Sequence, residues 1–129
     1  MTLLSILGIG GRAAKHTPTV LTGATVILSA DHRNQETGEV HAHTWKITAW
    51  VAPQCRKTPD ATSLHHWLEK WREQHSGTCL PDRIAWGENI AGDVVEWLEG
   101  DAYGGVCLFD VRAVLVERDE EGLSAAWFA

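Results

Sequence analysis

The stretch EVHAHTWKITAWVA, residues 39–52, alternates along its length. His41, His43, Trp45, Ile47 and Val51 fall on one side, and Thr44, Lys46 and Thr48 on the other. Successive side chains of a strand point to opposite faces, so this period of two predicts a strand with one buried face. Upstream, residues 19–32 (TVLTGATVILSADH) are mostly apolar and β-branched, and Val26, Leu28, Ala30 and His32 share one parity. The polar turn RNQETGEV, broken at Thr37-Gly38, joins the two runs into a β-hairpin. His41 and His43 thus begin one strand on its inward side. His32 ends the other strand just across the turn.

Outward from this hairpin the chain changes period. The segment APQCRKTPD reads as a linker, after which Thr58 suits an N-cap, Pro59 the first helical position and Asp60 the first turn. Leu64, Trp67, Leu68 and Trp71 then recur at helical spacing, predicting an amphipathic helix over residues 59–74. The loop HSGTCLPDRIAW leads to a second helix, GENIAGDVVEWLEG. Its stripe is Ile90, Val94, Trp97 and Leu98, and Gly100 is its expected C-cap. Two more strands, GGVCLFDVRAVLVER and LSAAWFA, flank the charged turn DEEG. The order is ββααββ, an α+β domain over residues 1–129 with residues 1–18 as a variable lead-in.

Bulk properties narrow the function. The chain has 129 residues, 44% of them hydrophobic, which suits one domain with a real core. Its formal charge is −6 with no basic block, which argues against nucleic-acid binding by bulk charge but leaves room for a small anionic ligand. Cys55, Cys79 and Cys107 form neither a disulfide framework nor a metal knuckle, and suggest a reducing cytoplasm. The start MTLLSILGIGG lacks the positive flank of a signal peptide. No segment approaches the roughly 20 apolar residues of a membrane span. The seven tryptophans are expected in core and subunit packing.

Three imidazoles on one face of a hairpin form a zinc donor set. Neutral imidazole is a common metal ligand, and three protein ligands leave a fourth position open for chemistry. Zinc there would act as a Lewis acid. Read singly, His41 and His43 are ordinary strand residues and His32 a turn residue.

Four phrases in order resemble the 6-pyruvoyl-tetrahydropterin synthase / 6-carboxytetrahydropterin synthase family. LSADH is similar to the family's first-strand phrase and gives His32. HAHTW is similar to its His-x-His phrase and gives His41 and His43. AWGENIA resembles its second-helix phrase and gives Glu88 and Asn89. VLVERDEEGLSAAWF resembles its late-strand phrase and gives Glu117. The resemblance spans about residues 19–129. It implies the tunnelling fold (T-fold): a four-stranded antiparallel sheet with two helices on one face, assembled into an oligomeric barrel, usually a homohexamer of two stacked trimers.

The resemblance implies Zn2+ on His32, His41 and His43, and a pterin ring anchored by Glu117, with Glu88 also at the substrate. The implied activity is conversion of 7,8-dihydroneopterin triphosphate to 6-carboxy-tetrahydropterin, on the route to 7-deazaguanines such as queuosine. The alternatives are 6-pyruvoyl-tetrahydropterin formation, a side-chain-cleaving variant, or a non-catalytic pterin- or purine-binding protein. The family also uses a Cys–Asp–His set to move protons. His75 matches its histidine, while Gln74 stands at the aspartate's place. No cysteine precedes His41, where Glu36 and Glu39 are the nearby carboxylates, and Cys79 lies four residues past His75.

Overall fold

The computed structural model describes residues 20–34, 36–53, 61–84, 86–100 and 109–129. Strand β1 (Thr22–Arg33) and strand β2 (Val40–Ala52) form the expected hairpin. Helix α1 (Ala61–His75), a 3-10 turn (Asp82–Ile84) and helix α2 (Gly87–Glu99) follow. Strands β3 (Asp110–Arg118) and β4 (Leu123–Phe128) complete an antiparallel sheet of order β1-β2-β3-β4. The expected order ββααββ is therefore observed. The expected helix start at Thr58, Pro59 and Asp60 lies outside the described residues, as do Cys55, Cys107 and the lead-in.

The alternation read from the sequence is the burial pattern of the hairpin. Val26, Leu28, Ala30 and His32 of β1 are buried, as are Trp45, Ile47, Ala49 and Val51 of β2. Both helices cover this face. Leu64, Leu68 and Trp71 of α1 and Ile90, Val94 and Leu98 of α2 join those strand residues in one core. The Trp97 indole Nε1 donates to the Trp67 carbonyl at 2.8 Å, tying the helices together. Gly100 closes α2 as expected, with its N–H donating to the Glu96 carbonyl. Gly38 and Gly122 turn the two hairpins at φ of 75° and 65°, a region that costs glycine little.

Two features were not readable from the pattern. Val51 pairs with Val111 while Trp50 pairs with Ala113, so Arg112 is an extra residue in β3. This β-bulge lets Val111, Val114 and Val116 all reach the helix side, where strict alternation would send Val111 to the other. The chain after α1 also adds to the sheet edge. Gly77 N–H donates to the Ser29 carbonyl at 2.9 Å, Asp31 N–H to Thr78 at 2.8 Å and Leu80 N–H to Asp31 at 2.7 Å. That segment covers the β1 edge just before His32. No helix among the described residues is long and apolar enough to cross a membrane.

The core makes a direct prediction. Ile47 lies fully buried on a central strand, between Val26 of β1 and Val116 of β3. Ile47→Ala should cost about 2–5 kcal/mol in denaturant unfolding. Lys70→Ala, on the exposed side of α1, should stay within about 0.5 kcal/mol.

Candidate metal and ligand site

The hairpin register assembles the site. His32 is the direct partner of His41, and Ala30 that of His43, so the three histidines share the helix-side face at one end of the sheet. Their ring centroids stand 4.5 Å (His32–His43), 6.2 Å (His32–His41) and 6.2 Å (His41–His43) apart. Imidazoles bound to one tetrahedral zinc through nitrogens at about 2.0–2.1 Å would have centroids about 5 Å apart. His32 is buried at 5% exposure, whereas the His41 side chain is 48% exposed. The cluster thus has a closed side and an open one. Trp45 and Trp86 wall the closed side, their rings edge-on to His32 at 6.0 and 5.5 Å.

As the side chains stand, no three His, Cys, Asp or Glu groups among the described residues surround a common metal position. Arg118 supplies a reason. Its Nη2 lies 3.1 and 3.2 Å from the two ring nitrogens of His43. A guanidinium has only donors, so it engages imidazole lone-pair density that a metal would also use. Glu121 holds this guanidinium, accepting from Arg118 Nη2 at 2.8 Å and from Nε at 3.2 Å. Burial, followed by the Arg118 charge, holds the His43 pKa below its ordinary value, and Arg118 likewise lowers that of the Glu121 carboxyl. His43 is thereby kept in the neutral form that ligates metal. Three imidazoles are a donor set that suits zinc, but two of the three separations are wider than a shared ion would set, and Arg118 competes for His43.

A cavity of about 220 Å³ adjoins the cluster, lined by Trp45, Trp86, Glu88, Val116, Arg118 and Ser124 among others. The Trp45 Nε1–H is buried and has no acceptor among the described residues. Such orphaned donors are uncommon in folded proteins. Glu88 lines this cavity from the first turn of α2.

Other expected site residues are not all brought to the histidines. Glu39 is, with its Oε2 3.4 Å from His41 Nε2. Glu36 is exposed in the hairpin turn, its backbone N–H donating to Asn34 Oδ1. Glu117 pairs with Lys46 on β2 and Ser124 on β4, and so takes the face opposite the histidines. Cys79 pairs with Asp31, which also puts it on the parity opposite His32. His75 ends α1 with its Nε2 3.9 Å from Asp93 Oδ2. Arg118, Glu121, Trp86 and Asp93 were not singled out from the sequence. For Arg118 a signal existed: it follows Glu117 by one residue and must take the other face.

No protein-family model matches the chain. No protein of curated function matches it either. Among solved structures it is similar to the 6-pyruvoyl tetrahydropterin synthase of Caenorhabditis elegans, with a TM-score of 0.65 at 14% sequence identity. The alignment covers 88% of this chain and 97% of that one. The expected tunnelling-fold subunit is therefore the fold observed.

The histidines also make a pH prediction for the metal-free protein. Burial lowers the pKa values of His43 and His75 below 6.5, opposed at His75 by Asp93. Each group then binds fewer protons folded than unfolded in the window from its folded value up to 6.5. Stability should fall as pH drops through this window and level off, for these groups, below their folded values. Denaturant midpoints measured across that range check the sign, and His75→Gln should flatten the slope.

Proposed function

We propose that the protein is a zinc-dependent enzyme of tetrahydropterin synthesis. Its proposed substrate is 7,8-dihydroneopterin triphosphate and its product 6-carboxy-5,6,7,8-tetrahydropterin, a precursor of 7-deazaguanines. The observation that carries this reading is the triad His32, His41 and His43, set on one face of one hairpin two rungs apart, in a chain with the tunnelling fold. Zinc held there would polarise a hydroxyl or carbonyl oxygen of the substrate side chain.

The chain's own residues supply the rest. Glu39, beside His41, is a carboxylate within reach of the cluster's open side and suits a proton acceptor. His75 is the second proton-transfer group in this reading. Glu117 would accept the paired N–H groups of the pterin edge, a charge-assisted, bidentate contact. Because Glu117 and the histidines take opposite faces of one sheet, the reading needs a second copy of the chain to complete the pocket. Open sheet edges favour such pairing, and a hexamer of two trimers is the proposed assembly.

Two measurements test this. Incubation of zinc-replete protein with dihydroneopterin triphosphate should yield 6-carboxytetrahydropterin by mass spectrometry. A pyruvoyl product or a shortened side chain would move the protein to the sister reactions. Tight binding of unchanged pterin without turnover would make it a binding protein, the reading favoured by Cys79 lying off the histidine face. Glu117→Gln removes a charge-assisted acceptor worth on the order of 1.5–3 kcal/mol. Calorimetry with a dihydropterin should show binding about tenfold to a hundredfold weaker with zinc retained. Unchanged affinity would remove Glu117 from the site.

A further inference from the structure

The cavity of about 220 Å³ beside the histidines is lined by donors that the chain itself leaves open. Trp45 and Arg118 both line it. Arg118 stands one place past the last β2–β3 pair, Lys46 with Glu117, and so shares the helix-side parity of Trp45. The Trp45 Nε1–H is buried and has no acceptor among the described residues. Such a donor costs stability until an acceptor meets it. The Arg118 side chain is only 16% exposed. Glu121 accepts from its Nε and Nη2, and a guanidinium has further N–H donors on Nη1 to offer a ligand. Trp86, Val116, Leu123 and Ala125 give the cavity apolar walls. Glu88 also lines it, but is exposed, so water and salt screen its charge.

We propose that Arg118 and Trp45 form a seat for the carboxylate of a flat heteroaromatic ligand, and that Arg118 is the residue that selects for this charge. A guanidinium shielded from water makes charge-assisted bonds to a carboxylate, and its planar fork matches the two oxygens. The indole N–H adds a neutral donor that only an acceptor entering the cavity can satisfy. The apolar walls suit the ring that carries the charge. The inference rests on the pterin-synthase reading for the identity of that ring. The proposed product bears a carboxylate directly on the ring, whereas a pyruvoyl or hydroxymethyl side chain is neutral. Arg118 would thus separate the carboxylated pterin from its sister products. The N–H edge of the ring, at its other end, remains for Glu117 from a second copy of the chain.

The test compares pterin-6-carboxylate with unsubstituted pterin, by calorimetry on protein saturated with zinc. The parent should prefer the carboxylate by about tenfold or more. In heteronuclear NMR the Trp45 indole N–H signal, identified by its loss in Trp45→Phe, should move with pterin-6-carboxylate and stay with pterin. Zinc also attracts a carboxylate, so the decisive quantity is how far the preference changes in Arg118→Gln at equal zinc content. It should fall by about tenfold or more, and recover in part in Arg118→Lys, which returns the charge without the fork. An unchanged preference in Arg118→Gln overturns the proposal. If neither pterin binds, the pterin-synthase reading fails on its own account, and naphthoate, a flat carboxylate without the pterin edge, tests the seat alone. A Trp45 indole shift with naphthoate that is lost in Arg118→Gln upholds the seat, and no shift overturns it.

Discussion

The register of the first hairpin governs this molecule. Once Thr22 pairs with Val51 and Arg33 with Val40, the parity of every residue between them is set. Val26, Leu28, Trp45 and Ile47 go beneath the helices, and the same parity carried to the strand ends delivers His32, His41 and His43 to one face. A slip of one residue would turn the apolar set of a strand outward together with its histidines. The core therefore protects the site: the energy that specifies packing also specifies which imidazoles meet. The tryptophans link the two. Trp45 belongs to the core, yet its ring borders His32 and His43 and its N–H has no acceptor among the described residues.

The sheet separates the chemistry onto two sides. Trp86, Glu88 and Arg118 line a cavity that adjoins the histidines on the helix side, while Glu117, Lys46 and Asp31 take the opposite face. This division follows from strand alternation alone. In the proposed reading, it is why a second copy of the chain is needed to bring Glu117 to the histidines. Arg118 gives the helix side a built-in competition. The guanidinium that adds to burial in holding the His43 pKa down also lies against its ring nitrogens, so a metal bound there would contend with Arg118 for this residue.

Much of this was legible because it is local. Period two in residues 39–52 and helical spacing from Leu64 to Trp71 and Ile90 to Leu98 identified the elements and their buried faces. What pattern alone could not supply was long-range pairing. The bulge at Arg112 depends on how β3 meets β2, not on its own residues. Arg118 touches His43 across 75 positions, and Asp93 faces His75 only because two helices pack side by side. Gln74 is the neighbour of His75 in chain order, whereas the carboxylate of Asp93 lies beside it in space from another helix. Glu117 was legible as a residue but not as a location, since its face matters only relative to the histidines.

The central claim is that His32, His41 and His43 hold one zinc between them. X-ray absorption at the zinc edge of the purified protein tests it most directly. The account predicts one zinc per chain with three imidazole nitrogens at about 2.0–2.1 Å, no sulfur in the shell, and loss of the metal when all three histidines become alanine. A sulfur ligand, or full zinc content in that triple variant, would contradict it.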